Sequence, residues 1–212
     1  MMTTFTLVTA GRSIPEARDL IRRYCGLPWS GGEPETWAYE YYDSLPTTPN
    51  DVLGPPDYLG SAALHPGFGR KEMVFFRSSG GAEACELWLA DLPRDVDLAD
   101  ADEKTVEHLT ELSDLADGEW LSIMSKVTHH KRPRLVPLFD RAVVDRYRLV
   151  TGVRGVAAWP SLVRAMRVDL ADQTNRAFLA DVHDELTREL TGPVPSALRL
   201  LDIAVWMDGR RS

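Results

Sequence analysis

From Val106 to the C-terminal end, apolar residues return every three or four positions, and this period constrains the fold more than any other feature of the chain. Val106, Leu109, Leu112 and Leu115 form one stripe, and Trp120, Ile123, Met124 and Val127 form the next. Residues so spaced share one helix face, so the pattern predicts amphipathic helices. Gly118 stops the first, and Pro133 must end the second because it lacks a backbone donor. Further helices are predicted over 142–150, 161–171 and 175–190. Gly192, Pro193 and Pro195 then break the chain, and Ser196 caps a last helix carrying Leu198, Leu201, Val205 and Trp206.

The first ninety residues read differently. Thr4 to Val8 predicts a short strand. Ser13 and Glu16 form a capping box that opens a helix with Ile14, Ala17, Leu20, Ile21 and Tyr24 on one face. The aromatic run Thr36 to Tyr42, and Glu72 to Arg77, predict two more short strands. A short helix is expected from about Asp57 to Leu64, inside a stretch crowded with Pro and Gly, and another over Ala82 to Leu92. The fold class is therefore mainly α: a single-domain helical bundle, residues 1–212, with a small N-terminal β element. Residues 1–90 are its mixed, loop-rich part and 91–212 its helical part. With 212 residues and 44% hydrophobic content, the chain can bury a core without disulfides or structural metal. That excludes a disordered tail, a collagen-like fibre and a disulfide-stapled miniprotein.

The formal charge of −8 would repel nucleic acid if it were evenly spread. It is not. Asp91 to Glu119 holds eleven acids against Arg94 and Lys104 (2 − 11 = −9), whereas Lys126 to Arg154 holds eight bases against Asp140 and Asp145 (8 − 2 = +6). Either the two segments neutralise each other or remain as solvated helix faces, or the basic one meets an anionic partner such as nucleic acid. Cys25 and Cys85 form no CxxC pair, the opening residues carry no leader, and no apolar stretch approaches the ~18 residues that span a bilayer. These features point to a cytoplasmic protein with reduced thiols and no membrane partner. His129 and His130 are adjacent and diverge on a helix, and His65, His108 and His183 lack ligand spacing, so neither a metal nor a cofactor is expected.

One run carries a chemical hint: His129-His130-Lys131-Arg132-Pro133-Arg134-Leu135-Val136-Pro137-Leu138-Phe139-Asp140. The two prolines straighten the connector, and Asp140 falls where unpaired N–H groups at a helix start favour a carboxylate. As structure alone it is a basic helix end, a stiff connector and an aspartate cap. Together with Tyr42-Asp43 before Leu45-Pro46, and with Leu198-Arg199-Leu200-Leu201-Asp202-Ile203-Ala204-Val205-Trp206-Met207, it resembles a family of actinobacterial proteins of unknown function. The likeness runs from about Tyr39 onward, and an excess of 20 Arg over 4 Lys is compatible with such an origin.

More distantly, the segment from Glu119 through the Lys-Arg-Pro connector to Asp140 is similar to the catalytic core of helix-hairpin-helix base-excision DNA glycosylases. That resemblance implies that Asp140 is the catalytic acid, stabilising positive charge on the sugar as an extruded base departs. It also implies that Lys131, Arg132 and Arg134 contact phosphate, and Arg141 of the same basic segment is a further candidate nucleic-acid-binding residue. The sequence departs from that pattern in three places. Leu138 and Phe139 add one residue before Asp140, the turn Leu115 to Glu119 has one glycine and two acids, and Trp120 to Ser125 contains no lysine. The reading is a nucleic-acid-contacting module on a glycosylase-like helical scaffold, and an N-glycosidic hydrolase if it is an enzyme. The alternatives are a non-catalytic protein-interaction or regulatory module, and a small-molecule enzyme built on Asp140 and a nearby histidine.

Overall fold

A computed structural model describes residues 5–64, 67–116, 120–151 and 155–210, with the side chains at 148–151 and 155–156 left undescribed. Strands β1 (Phe5–Leu7) and β2 (Arg12–Ile14) form a two-stranded hairpin, followed by α1 (Ala17–Tyr24). Then come α2 (Pro55–Leu64), α3 (Arg70–Ser78), α4 (Gly81–Ala90), α5 (Glu103–Thr110) and α6 (Leu112–Leu115). The chain continues through α7 (Leu121–Lys131), α8 (Arg141–Thr151), α9 (Trp159–Ala171), α10 (Gln173–Glu189) and α11 (Ala197–Gly209). The mainly helical class is thus observed, with its small sheet at the N-terminus.

The hairpin pairs Phe5 with Ile14 and Leu7 with Arg12 in antiparallel register. Phe5, Leu7 and Ile14 point into the core. Asn175 at the start of α10 closes the free edge of β1: its Nδ2 donates to the Thr6 carbonyl at 2.7 Å, and its Oδ1 accepts from the Thr6 N–H at 3.3 Å. The Ser13 capping box does not form. Ile14 is the inward residue of a strand, and α1 starts only after Glu16 turns the chain at φ 56°. The face predicted for that helix is nonetheless the buried one, with Ala17, Leu20, Ile21 and Tyr24 inside.

Two predicted strands are helical turns or helices. Thr36 to Tyr42 holds a 3₁₀ turn, Ala38–Tyr41, and its aromatic rings pack sideways: Trp37 meets Trp206 edge-on at 5.6 Å. Glu72 to Arg77 lies inside α3, where Phe76 packs on Tyr58 at 5.1 Å and Phe75 stacks on Trp120 at 4.3 Å. A strand would have sent these adjacent rings to opposite faces. The stripe from Val106 to Leu115 is divided between α5 and α6, and its stop at Gly118 lies outside the described residues. The remaining helices fall where the period puts them, with Asp172 capping α10 and Ser196 capping α11.

Helix α11 is the centre of the packing, lying against α1, α8, α9 and α10. It is buried on nearly every side, as a helix with apolar residues all round should be. Its polar members Arg199, Asp202 and Asp208 are therefore conspicuous, since buried charge persists only when partnered. Among the described residues no helix is long and apolar enough to cross a membrane.

Candidate functional site

Arg199, Asp202 and Trp206 stand on one stripe of α11, at spacings of three and four, and face a cleft of about 790 Å³. Tyr24 of α1, the segment Thr36 to Ala38 with Tyr41, the end of α2, Lys126 of α7 and the start of α8 also line it. Small-ligand sites commonly occupy about 300–1,000 Å³.

Asp140 enters this cleft as the cap of α8. Its Oδ1 accepts the Ala142 N–H at 2.9 Å, and its own carbonyl starts the helix by accepting from Val144. Its Oδ2 takes no hydrogen bond from the described residues. Two side chains of α7 fix the connector beneath it. Ser125 Oγ accepts the Phe139 N–H at 3.0 Å, and the Lys126 amine donates to the Phe139 carbonyl at 3.3 Å, as well as to Ser122. Burial lowers the Lys126 amine below the usual lysine range, against the pull of Asp140 and Asp202. Asp140 is thus clamped from both sides of the residue before it.

The floor is a desolvated ionic cluster. Arg199 donates Nε to Asp43 Oδ1 at 2.6 Å, Nη1 to Asp202 Oδ2 and Nη2 to the Tyr24 hydroxyl; the Tyr24 hydroxyl donates in turn to Asp43 at 2.8 Å. The Arg199, Asp43 and Asp202 side chains are 4%, 6% and 3% exposed, so water does not share in solvating them. Burial pushes the Asp202 carboxyl up to about 6; Arg199 opposes this and Asp140 adds to it. The upper walls are aromatic. Tyr24 and Trp37 both approach Trp206 edge-on, and Arg210 lies over Trp206 at 4.7 Å.

The structure does not bring the four predicted nucleic-acid contacts together. The Lys131 side chain is buried, with its amine 3.0 Å from Asp57 and bonded to Thr48. Arg132 is buried, held by Asp51 at 2.6 Å and by the Leu89 carbonyl. Arg134 forks onto Asp97 through two 2.7 Å bonds, joining the basic segment to the acidic one. Arg141 shares the cleft with Asp140; its side chain is 90% exposed and 3.8 Å from Asp145. The Arg148 side chain and Arg154 lie outside the described residues.

Asp202, Arg199 and Lys126 were not singled out by sequence reasoning as site residues. The available signal was the i, i+3, i+7 placement of Arg199, Asp202 and Trp206 on an otherwise apolar helix, visible in the C-terminal segment but read only as a family mark. A second cleft, of about 640 Å³, is lined by His129, His130 and His183 and shares Arg199 as a wall. Among the described residues no group of three or more His, Cys, Asp or Glu gathers to hold a metal ion.

In comparison with known proteins, residues 17–209 match the model of a family of unknown function, so the likeness begins well before Tyr39. No curated protein and no solved structure matches the chain.

Proposed function

From the premise that the chain belongs to the family of unknown function DUF6308, we propose that it hydrolyses the N-glycosidic bond of a nucleoside-sized substrate held in the Asp140 cleft. The observation that carries this reading is a cleft that combines a half-buried, capped carboxylate with aromatic walls and a desolvated floor. A flat base stacks favourably on Trp37, Tyr41 or Trp206. Breaking its bond to the sugar leaves positive charge on the sugar, and a fixed carboxylate in a partly dry site stabilises that charge strongly. The distant likeness of the Pro137-x-x-Asp140 turn to base-excision glycosylases supports the same chemistry.

The pairing of Lys131, Arg132 and Arg134 favours a small substrate over a long duplex. Those three cations are committed to Asp57, Asp51 and Asp97, and phosphate would have to displace a carboxylate from each. Arg141 at the mouth is left to meet an anionic group on the substrate.

The test is to incubate the protein with a set of ribo- and deoxyribonucleosides and to follow free base by chromatography. We expect base release from at least one nucleoside and a loss of about a hundredfold or more in kcat for Asp140→Asn, with ligand affinity retained. A wild-type protein that neither binds a nucleoside by calorimetry nor frees a base would end this reading.

A further inference from the structure

Between its floor and its mouth the cleft changes the sign of its charge. With every acid ionised, the floor sets Lys126 and Arg199 against Asp43, Asp140 and Asp202 (2 − 3 = −1). The junction of α8 with the end of α11 sets Arg141, Arg146 and Arg210 against Asp145 and Asp208 (3 − 2 = +1). Arg12 of β2 shares Asp208 at 3.5 Å and takes the junction to +2. Glu35, behind the Trp37 wall, accepts from the Trp37 ring nitrogen and is paired with Arg23 at 2.6 Å.

Two of the junction arginines face solvent with their donors open. The Arg141 side chain is 90% exposed, and its 3.8 Å approach to Asp145 is too long for a hydrogen bond. Arg210 is exposed, lies over the Trp206 ring at 4.7 Å and makes no ion pair among the described residues. Arg146, by contrast, is committed to the Asp208 carboxylate and carbonyl. Gly209 and Ala142 pack backbone to backbone, a Cβ on Gly209 falling 3.3 Å from the Ala142 carbonyl oxygen. That contact sets Arg210 and Arg141, each one residue along from it, on the same rim of the cleft.

We infer that the substrate is a nucleoside 5′-monophosphate whose phosphate is held by Arg141 and Arg210 at the cleft mouth. The inference rests on the base-release reading above and narrows its substrate class. With C1′ turned to Asp140 and the base on the aromatic wall, the 5′ carbon hangs from the far side of the sugar ring. A phosphate there is carried outward, to two guanidinium forks whose planar donors match its oxygens. The negative floor repels the same group, which fixes the end of the nucleotide that enters first. That floor also suits the positive charge that develops on the sugar.

The experiment follows base release from nucleosides, each beside its own 5′- and 3′-monophosphates. We expect the wild type to favour the 5′-monophosphate by about 10–100-fold in kcat/KM. Arg141→Gln and Arg210→Gln should each cut that preference about tenfold. Arg164→Gln, which removes an exposed arginine of α9 outside the cleft, should keep it. Base release from nucleosides without a preference for the 5′-monophosphate overturns the phosphate site and leaves the base-release reading standing. A preference that survives both cleft substitutions, or that Arg164→Gln reduces equally, overturns it too. If neither nucleosides nor monophosphates bind or lose their base, the base-release reading fails and the inference goes with it. Should either variant not fold, the salt dependence of the wild type decides. Exposed guanidinium contacts are screened, so the preference must shrink between about 0.05 M and 1 M salt, and an unchanged preference overturns the inference.

Discussion

Single side chains in this protein are legible by charge and illegible by partner. Lys131 and Arg132 read as exposed cations on a basic stretch, yet both side chains are buried against acids far back in the chain, Asp57 and Asp51. His129 shows how far tertiary surroundings reset a residue. Its ring stacks on Tyr42 at 6.1 Å, Nδ1 donates to the Val136 carbonyl at 2.5 Å, and burial, helped by the Arg199 charge, lowers its pKa to about 3. The unfolded chain protonates this ring near its ordinary value of 6.5. Between pH 6.5 and about 3 the unfolded state therefore binds more protons, and stability must fall on acidification. Asp202 acts in the opposite sense: its folded value of about 6 lies above the ordinary 3.8, so its contribution grows as the pH falls across that interval. The His129 window is the wider, and a net decline is expected. Urea midpoints of His129→Asn measured from pH 7 to 4 should then run flatter than those of the wild type or rise toward acid. Parallel profiles for the two proteins would show that His129 is not the group responsible.

At the scale of elements, the helices of the second half follow from their apolar period, while the short N-terminal pieces do not. Thr36–Tyr42 and Glu72–Arg77 carry β-prone residues, but strand propensity is largely packing against a neighbouring strand, and none is offered here. The rings find helix faces and become helical turns instead. The crossing of α8 and α11 is what shapes the cleft, and one glycine permits it. A Cβ built on Gly209 would lie 3.2 Å from the Ala142 Cβ and 3.3 Å from the Ala142 carbonyl oxygen, so the end of α11 touches the first turn of α8 through backbone. Gly209→Ala should push the helix ends apart, costing about 1–3 kcal/mol in urea unfolding and weakening ligand binding as Arg210 moves from the mouth. An unchanged midpoint with unchanged affinity would mean that the contact is slack.

Among the described residues the buried apolar side chains form one connected cluster, running from Phe5 of the hairpin to Met207 of α11. We propose on that basis that the chain unfolds as one cooperative unit. Thermal unfolding followed by far-ultraviolet circular dichroism and by tryptophan fluorescence should give coincident single transitions. Separate transitions would divide the loop-rich part from the helical part. The sequence by itself determined the mainly helical class, most of the helices, the inward face of α1 and the cap at Asp140, because each depends on residues within a few positions of one another. Only the tertiary structure decided which charges meet. It buried the side chains of Lys131 and Arg132, drew Arg199 onto Asp43 and Tyr24, and set Lys126 and Asp202 beneath Asp140. Local periodicity registers which way a side chain points, but not what a distant segment brings to face it. A charge in a dry interior takes its chemistry from those distant partners, since there is no water to screen them.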